Sequence, residues 1–97
     1  MTLTQLTEQI AAKVANGGGL GNTVKFNFGG DGILYLDGVN NTVSNEDKPA
    51  DCTVNVTMAD FGDMLSGALN PMSAFMGGKM QIDGDMSVAM KLQSIFG

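Results

Sequence analysis

The chain reads as an α+β protein: a five-stranded mixed β-sheet with helices covering one face. Three observations predict this. A helical apolar stripe opens the chain, four or five short alternating segments punctuated by Gly, Asn and Asp follow, and a helical pattern closes it. Ninety-seven residues support one core, so residues 1–97 are read as a single domain. A hydrophobic fraction of 43% with only two prolines favours a packed fold over disorder.

Residues 2–16 form the first helix. Leu3, Leu6, Ile10 and Val14 share one stripe, Thr2 or Thr4 is positioned to cap the start, and Asn16 with the following glycines ends it. Gly17 to Asn22 is a connector. Thr23 to Phe28 alternates strictly, with Val24, Phe26 and Phe28 on one side, and the turn Gly29-Gly30-Asp31-Gly32 pairs it with Ile33 to Asp37. In that second strand Leu34 and Leu36 face the core, leaving Ile33 and Tyr35 on the other side. A weak edge strand near Thr42 to Asn45 and a polar loop through Pro49 follow.

Asp51 to Thr57 is the clearest strand, with Cys52, Val54 and Val56 inward. Thr57 caps a short helix bearing Met58, Phe61, Met64 and Leu65, and Gly67 stops it. Asn70-Pro71 opens a further helical turn through Met76. Lys79 to Asp83 is a last strand with Met80 and Ile82 inward, and Asp85 caps a closing helix through about Phe96. A right-handed crossover sets the strands flanking the short helices alongside the first hairpin.

Composition excludes several functions. Five lysines and no arginine face ten acidic residues, and a net charge of −5 disfavours nucleic acid, whose binding needs cations to displace counterions. The same scarcity of cations disfavours lasting adsorption to anionic membranes, so membrane or enzyme contact is expected to be transient. Histidine is absent and Cys52 is the lone cysteine, which removes the usual metal ligands, the commonest general base and any internal disulfide. No cofactor, metal or catalytic group is expected. Met1 to Gly17 is amphipathic rather than signal-like, and the final Ser-Ile-Phe-Gly is no peroxisomal address, so a cytoplasmic location is expected.

The second half holds more apolar surface than simple packing needs. Seven of the eight methionines lie from Met58 onward, and the closing helix carries Met86, Val88, Ala89, Met90, Leu92, Ile95 and Phe96 around much of its girth. A helix over a core needs one apolar stripe. The excess has three possible sinks: a partner chain, a bound apolar ligand, or the sheet and its neighbouring short helices. Methionine is flexible and polarisable and adapts to exchangeable contents.

The stretch Ala50 to Thr57 (ADCTVNVT), then Leu65 to Met76 (LSGALNPMSAFM), then Gly78 to Met86 (GKMQIDGDM) and Ala89 to Leu92 (AMKL) resembles the sterol carrier protein type two domain in one collinear series over about half the chain. The resemblance implies an apolar tunnel between sheet and helices, a lipid carrier rather than an enzyme, and ligands among fatty acids, fatty acyl-CoA esters, phospholipids and sterols. Mapped onto this chain, it implies a lining from Phe61, Met64, Leu65, Leu69, Phe75, Met76, Met80, Ile82, Met86 and Met90, with Phe26, Leu34, Leu36 and Val54 as the sheet-side floor. Lys91, Gln93 and the helix start at Asn70-Pro71 are polar candidates at the mouth. A monomer or weak homodimer is expected. The rival reading is an interaction or dimerisation module, or an accessory domain of a lipid-biosynthetic complex, without its own ligand.

Three motifs carry no site. Gly17 to Gly21 follows a helix and precedes a strand, the reverse of a phosphate-cradling loop. Gly78-Lys79 lacks the Ser or Thr of a nucleotide loop. Asp83-Gly84-Asp85 lacks the further ligands of a calcium loop.

Overall fold

The computed structural model describes residues 2–15 and 21–91. The expected connector after the first helix and the closing helix beyond Lys91 lie largely outside those residues. Helix α1 spans Leu3–Ala15. Its start is a reciprocal cap: the Gln5 N–H donates to Thr2 Oγ1 at 3.2 Å and the Thr2 N–H donates to Gln5 Oε1 at 2.8 Å. Leu6, Ile10 and Val14 are buried along one stripe.

Strands β1 (Thr23–Asn27), β2 (Ile33–Asp37), β3 (Thr42–Ser44), β4 (Cys52–Val56) and β5 (Met80–Gly84) form one sheet in the order β3-β2-β1-β4-β5. β1 pairs antiparallel with β2 and parallel with β4, so the sheet is mixed as expected. The parallel pair needs a crossover, which runs through β2, β3 and the loop before β4. Register fixes the faces: Phe26 lies between Leu34 and Val54, and Val54 stands beside Ile82. One face therefore carries Val24, Phe26, Leu34, Leu36, Cys52, Val54, Val56 and Met80, all buried. The opposite face carries Lys25, Asn27, Thr53, Asn55 and Gln81. There Tyr35, expected on this side, is buried beneath the loop after β3: its hydroxyl donates to the Pro49 carbonyl at 3.1 Å, and Lys25 pairs with Asp47 at 2.8 Å.

The helices cover the apolar face. α2 (Met58–Ser66) begins where Thr57 Oγ1 accepts the Asp60 N–H at 3.1 Å, and ends at Gly67, whose φ of 85° is the left-handed conformation a helix stop uses. α3 (Pro71–Met76) packs on β5, and α4 (Met86–Lys91) lies against β4 and β5. Asp85 caps α4, accepting the Ser87 N–H at 2.9 Å. Between β5 and α4 stands Gly84, with φ 107°; a Cβ there would sit 2.6 Å from the Asp51 carbonyl oxygen, so only glycine lets β5 end against β4 this closely.

Asp51 ties the two parallel strands together. Its carboxylate accepts the Thr23 N–H at 3.1 Å and the Asn22 amide at 3.4 Å, while Thr23 Oγ1 accepts the Asp51 N–H at 3.0 Å. The Thr23 N–H first, then the Asn22 amide, hold the carboxyl below its ordinary 3.8. A lowered folded-state value means the unfolded chain binds more protons, so this stabilisation is present above pH 3.8 and is lost as pH falls through the folded value. Melting temperature should therefore drop as the solution is acidified below that point, and Asp51→Asn should make the decline shallower. An unchanged slope in thermal melts of the variant would remove Asp51 from the account.

Candidate lipid-binding site

The apolar residues of the second half separate into two groups. α2 lies over the middle of the sheet, where Phe61 meets Phe26 and Phe28 with ring centroids 4.9 and 5.2 Å away. Phe26, Leu34, Leu36, Val54 and Phe61 have no exposed surface and Met64 has 1%. Leu65 and Leu69 are partly buried against the same cluster. The expected floor and part of the expected lining are thus interlocked core, because the aromatic ring of Phe61 fills the space above the sheet's centre.

A different arrangement holds at the sheet's edge. Pro71, Met72 and Phe75 of α3, Met80 and Ile82 of β5, and Met86, Ala89 and Met90 of α4 surround an apolar pocket of about 180 Å³. The spacings explain why these residues meet. Positions 71, 72 and 75 share one face of a helix, as do 86, 89 and 90, while 80 and 82 point to one face of a strand. Met72 is 49% exposed, Phe75 37%, Met86 46% and Met90 67%, whereas Met80 at the base is 7% exposed.

Five of the residues proposed from the sequence, Phe75, Met80, Ile82, Met86 and Met90, therefore meet around one opening. Met76 does not join them: it is 79% exposed at the last turn of α3 and does not line the opening. Pro71, Met72 and Ala89 were missed, although the i, i+4 step from Pro71 to Phe75 and the i, i+3 step from Met86 to Ala89 were signals that placed them.

The polar candidates at the mouth fare differently. Asn70 Oδ1 accepts the N–H groups of Met72 and Ser73 at 2.8 and 3.4 Å, so the start of α3 is occupied by its own cap. Lys91 Nζ donates to Asn22 Oδ1 at 3.1 Å. Gln93 lies outside the described residues. Every described residue lining the pocket is apolar. Larger depressions exist, about 590 Å³ beside Gln5, Glu8, Gln9 and Ala12 and about 340 Å³ between Asn27, Phe28, Asn55, Val56, Lys79 and Gln81, but both are more open than the edge pocket and carry charged and amide side chains in their lining. Volume alone does not select a lipid site; an apolar concavity does.

Burial first, then Asp85, Asp83 and Asp51, push the Cys52 thiol up, which keeps it protonated and unreactive. Asp85 is held low by the Ser87 hydroxyl and N–H, as befits a cap. No group of three or more His, Cys, Asp or Glu among the described residues is placed to hold a metal, and no described helix is long and apolar enough to cross a membrane.

Residues 3–97 match the family model described as the SCP-2 sterol transfer family. The chain belongs to that family. Sterol carrier protein 2 of Homo sapiens is 39% identical over 92 residues, which cover 91% of this chain and 16% of that protein. The chain thus spans only a small part of the length of the curated relatives it matches. Among solved structures, Sterol Carrier Protein 2 Like 2 from Aedes aegypti superposes with a TM-score of 0.84 at 24% identity, covering 96% of this chain and 94% of that one. The solution structure of palmitated SCP2L2 from Aedes aegypti gives a TM-score of 0.81 at 23% identity, covering 99% of this chain and 95% of that one. These likenesses establish the sterol carrier fold, with its mixed five-stranded sheet and one helical layer.

Proposed function

We propose that the protein binds and carries a fatty lipid, seating the acyl chain in the pocket between α3, β5 and α4. The observation that carries this reading is the thioether-rimmed apolar opening itself, with Met80 at its base and Met72, Met86 and Met90 exposed around it. Membership of the SCP-2 sterol transfer family supports it, as does the palmitate bound by the Aedes aegypti relative. The pocket of about 180 Å³ is smaller than the roughly 300–1,000 Å³ of common ligand sites. A long chain is accommodated by swinging the unbranched Met side chains outward, a motion that Leu or Ile would not permit as readily.

Each methylene buried contributes ~0.8 kcal/mol, so about ten give ~8 kcal/mol before the cost of association, roughly 4–15 kcal/mol, is subtracted; tight binding therefore requires most of a long chain to be buried. Among the described residues no charge lines the opening, so chain length rather than headgroup governs binding. The net charge of −5 fits brief contact with a membrane or enzyme during exchange, by a monomer or weak dimer working in the cytoplasm without chemistry of its own.

The exposure of the same residues also suits a docking face for another protein, and one measurement separates the two readings. Solvent extraction and mass spectrometry of the freshly purified chain should release fatty lipid, and the delipidated chain should titrate with palmitate at one site. An empty chain that shows no saturable palmitate binding, yet forms a stable dimer, would replace the carrier by the docking module.

A further inference from the structure

Methionine is conspicuous at the pocket for a chemical reason as well as a mechanical one. Its thioether is the apolar side-chain group that a mild oxidant turns polar. The described methionines differ in access: Met76, Met90, Met72 and Met86 are 79, 67, 49 and 46% exposed, Met58 is partly buried, and Met80 and Met64 are 7 and 1% exposed. Among the described residues, three of these four exposed methionines line the apolar pocket, Met72 from α3 and Met86 and Met90 from α4. The fourth, Met76, lies outside it.

We propose that Met72, Met86 and Met90 form an oxidation-sensitive gate that releases the bound lipid, an inference that rests on the fatty-lipid reading of the pocket. With hydrogen peroxide as oxidant, the sulfur lone pair takes one peroxide oxygen, the O–O bond breaks, and the second oxygen leaves as water; the thioether loses two electrons and becomes a sulfoxide. The reverse step, through a methionine sulfoxide reductase, consumes a dithiol and returns thioether, water and disulfide. The described lining offers no side-chain hydrogen-bond donor to the new S=O group. Each sulfoxide must then lie unpaired against the acyl chain or turn to water and withdraw its methylenes from the wall. Both outcomes loosen the lipid, and neither touches the core, because the rim thioethers project into solvent while Met64 and Met80 are shielded.

Peroxide treatment of the full chain, with peptide mapping to locate sulfoxides and circular dichroism to confirm the fold, tests the gate. Oxidation should proceed at the four exposed methionines before Met80 and Met64, and palmitate affinity should fall at least tenfold once the three rim sulfurs carry oxygen. Bound palmitate should slow oxidation of Met72, Met86 and Met90 while leaving Met76, the internal reference, at its free rate. A variant combining Met72→Leu, Met86→Leu and Met90→Leu should keep, after peroxide, whatever affinity it had before. Palmitate affinity within twofold of the parent with all three sulfoxides in place overturns the gate, as does palmitate that protects none of them relative to Met76, or a leucine variant that remains equally sensitive. If the unoxidised chain shows no saturable palmitate binding, the lipid reading itself is wrong and the gate falls with it.

Discussion

Phe75→Asp should weaken palmitate binding by about a hundredfold or more while leaving the domain folded. Phe75 is 37% exposed, so its removal forfeits only part of an aromatic side chain's burial, and the sheet and α2 do not depend on it. The new carboxylate would stand in the wall of the pocket with Met80, Ile82 and Met86, with no cation or side-chain donor among the described lining residues. A bound acyl chain would strip water from that charge. Desolvating an unpaired polar group costs several kcal/mol, and each ~1.4 kcal/mol is tenfold in affinity. Calorimetric titration with palmitate, alongside a circular dichroism melt, measures both quantities. Phe75→Leu keeps the wall apolar and should lose far less. A folded Asp variant that binds as the parent does would show that the ligand lies elsewhere. Met80→Asp would be less informative, since at 7% exposure Met80 also supports the fold.

Much of this architecture was legible in the chain because local chemistry and long-range packing agree. The alternation of Val24 and Phe26, and of Cys52, Val54 and Val56, fixes which sheet face is buried. Thr57, Gly67 and Asn70-Pro71 mark helix ends through caps that need no tertiary partner. What the pattern did not separate was a residue that lines a cavity from one that fills the core. Met64 and Met86 are the same side chain, each on a short helix, yet one is 1% exposed and the other 46%. The difference is set by what lies opposite. α2 sits where Phe26 and Phe28 reach up to Phe61, and α4 sits at the sheet edge where β5 has no further strand beside it. That neighbour relation is a property of topology, and periodicity within one helix does not carry it. Met76 directly follows Phe75 in the last turn of α3, yet only Phe75 lines the opening, a distinction that composition alone does not carry.

The sharpest division between core and lining runs through Phe61. As a core residue its truncation should be severe: Phe→Ala at a fully buried position costs about 3–5 kcal/mol, and a chain of this length has a total stability of roughly 5–15 kcal/mol. Both ring contacts of Phe61, to Phe26 at 4.9 Å and to Phe28 at 5.2 Å, would be lost together. At about 4–8 °C per kcal/mol for a domain of this size, the melting temperature should fall by roughly 15–30 °C. Adding palmitate should raise the melting temperature of parent and variant by similar amounts, because a ligand seated beside Met80 and Met90 does not enter the space that Phe61 vacates. Were Phe61 part of the lipid-contacting wall, as the sequence suggested, the enlarged site would gain affinity for longer or bulkier chains, and ligand would restore much of the lost stability. Thermal melts of Phe61→Ala with and without palmitate, and with a branched fatty acid of equal length, distinguish the two. A selective rescue by the bulkier ligand would move the site from the edge of the sheet to its centre.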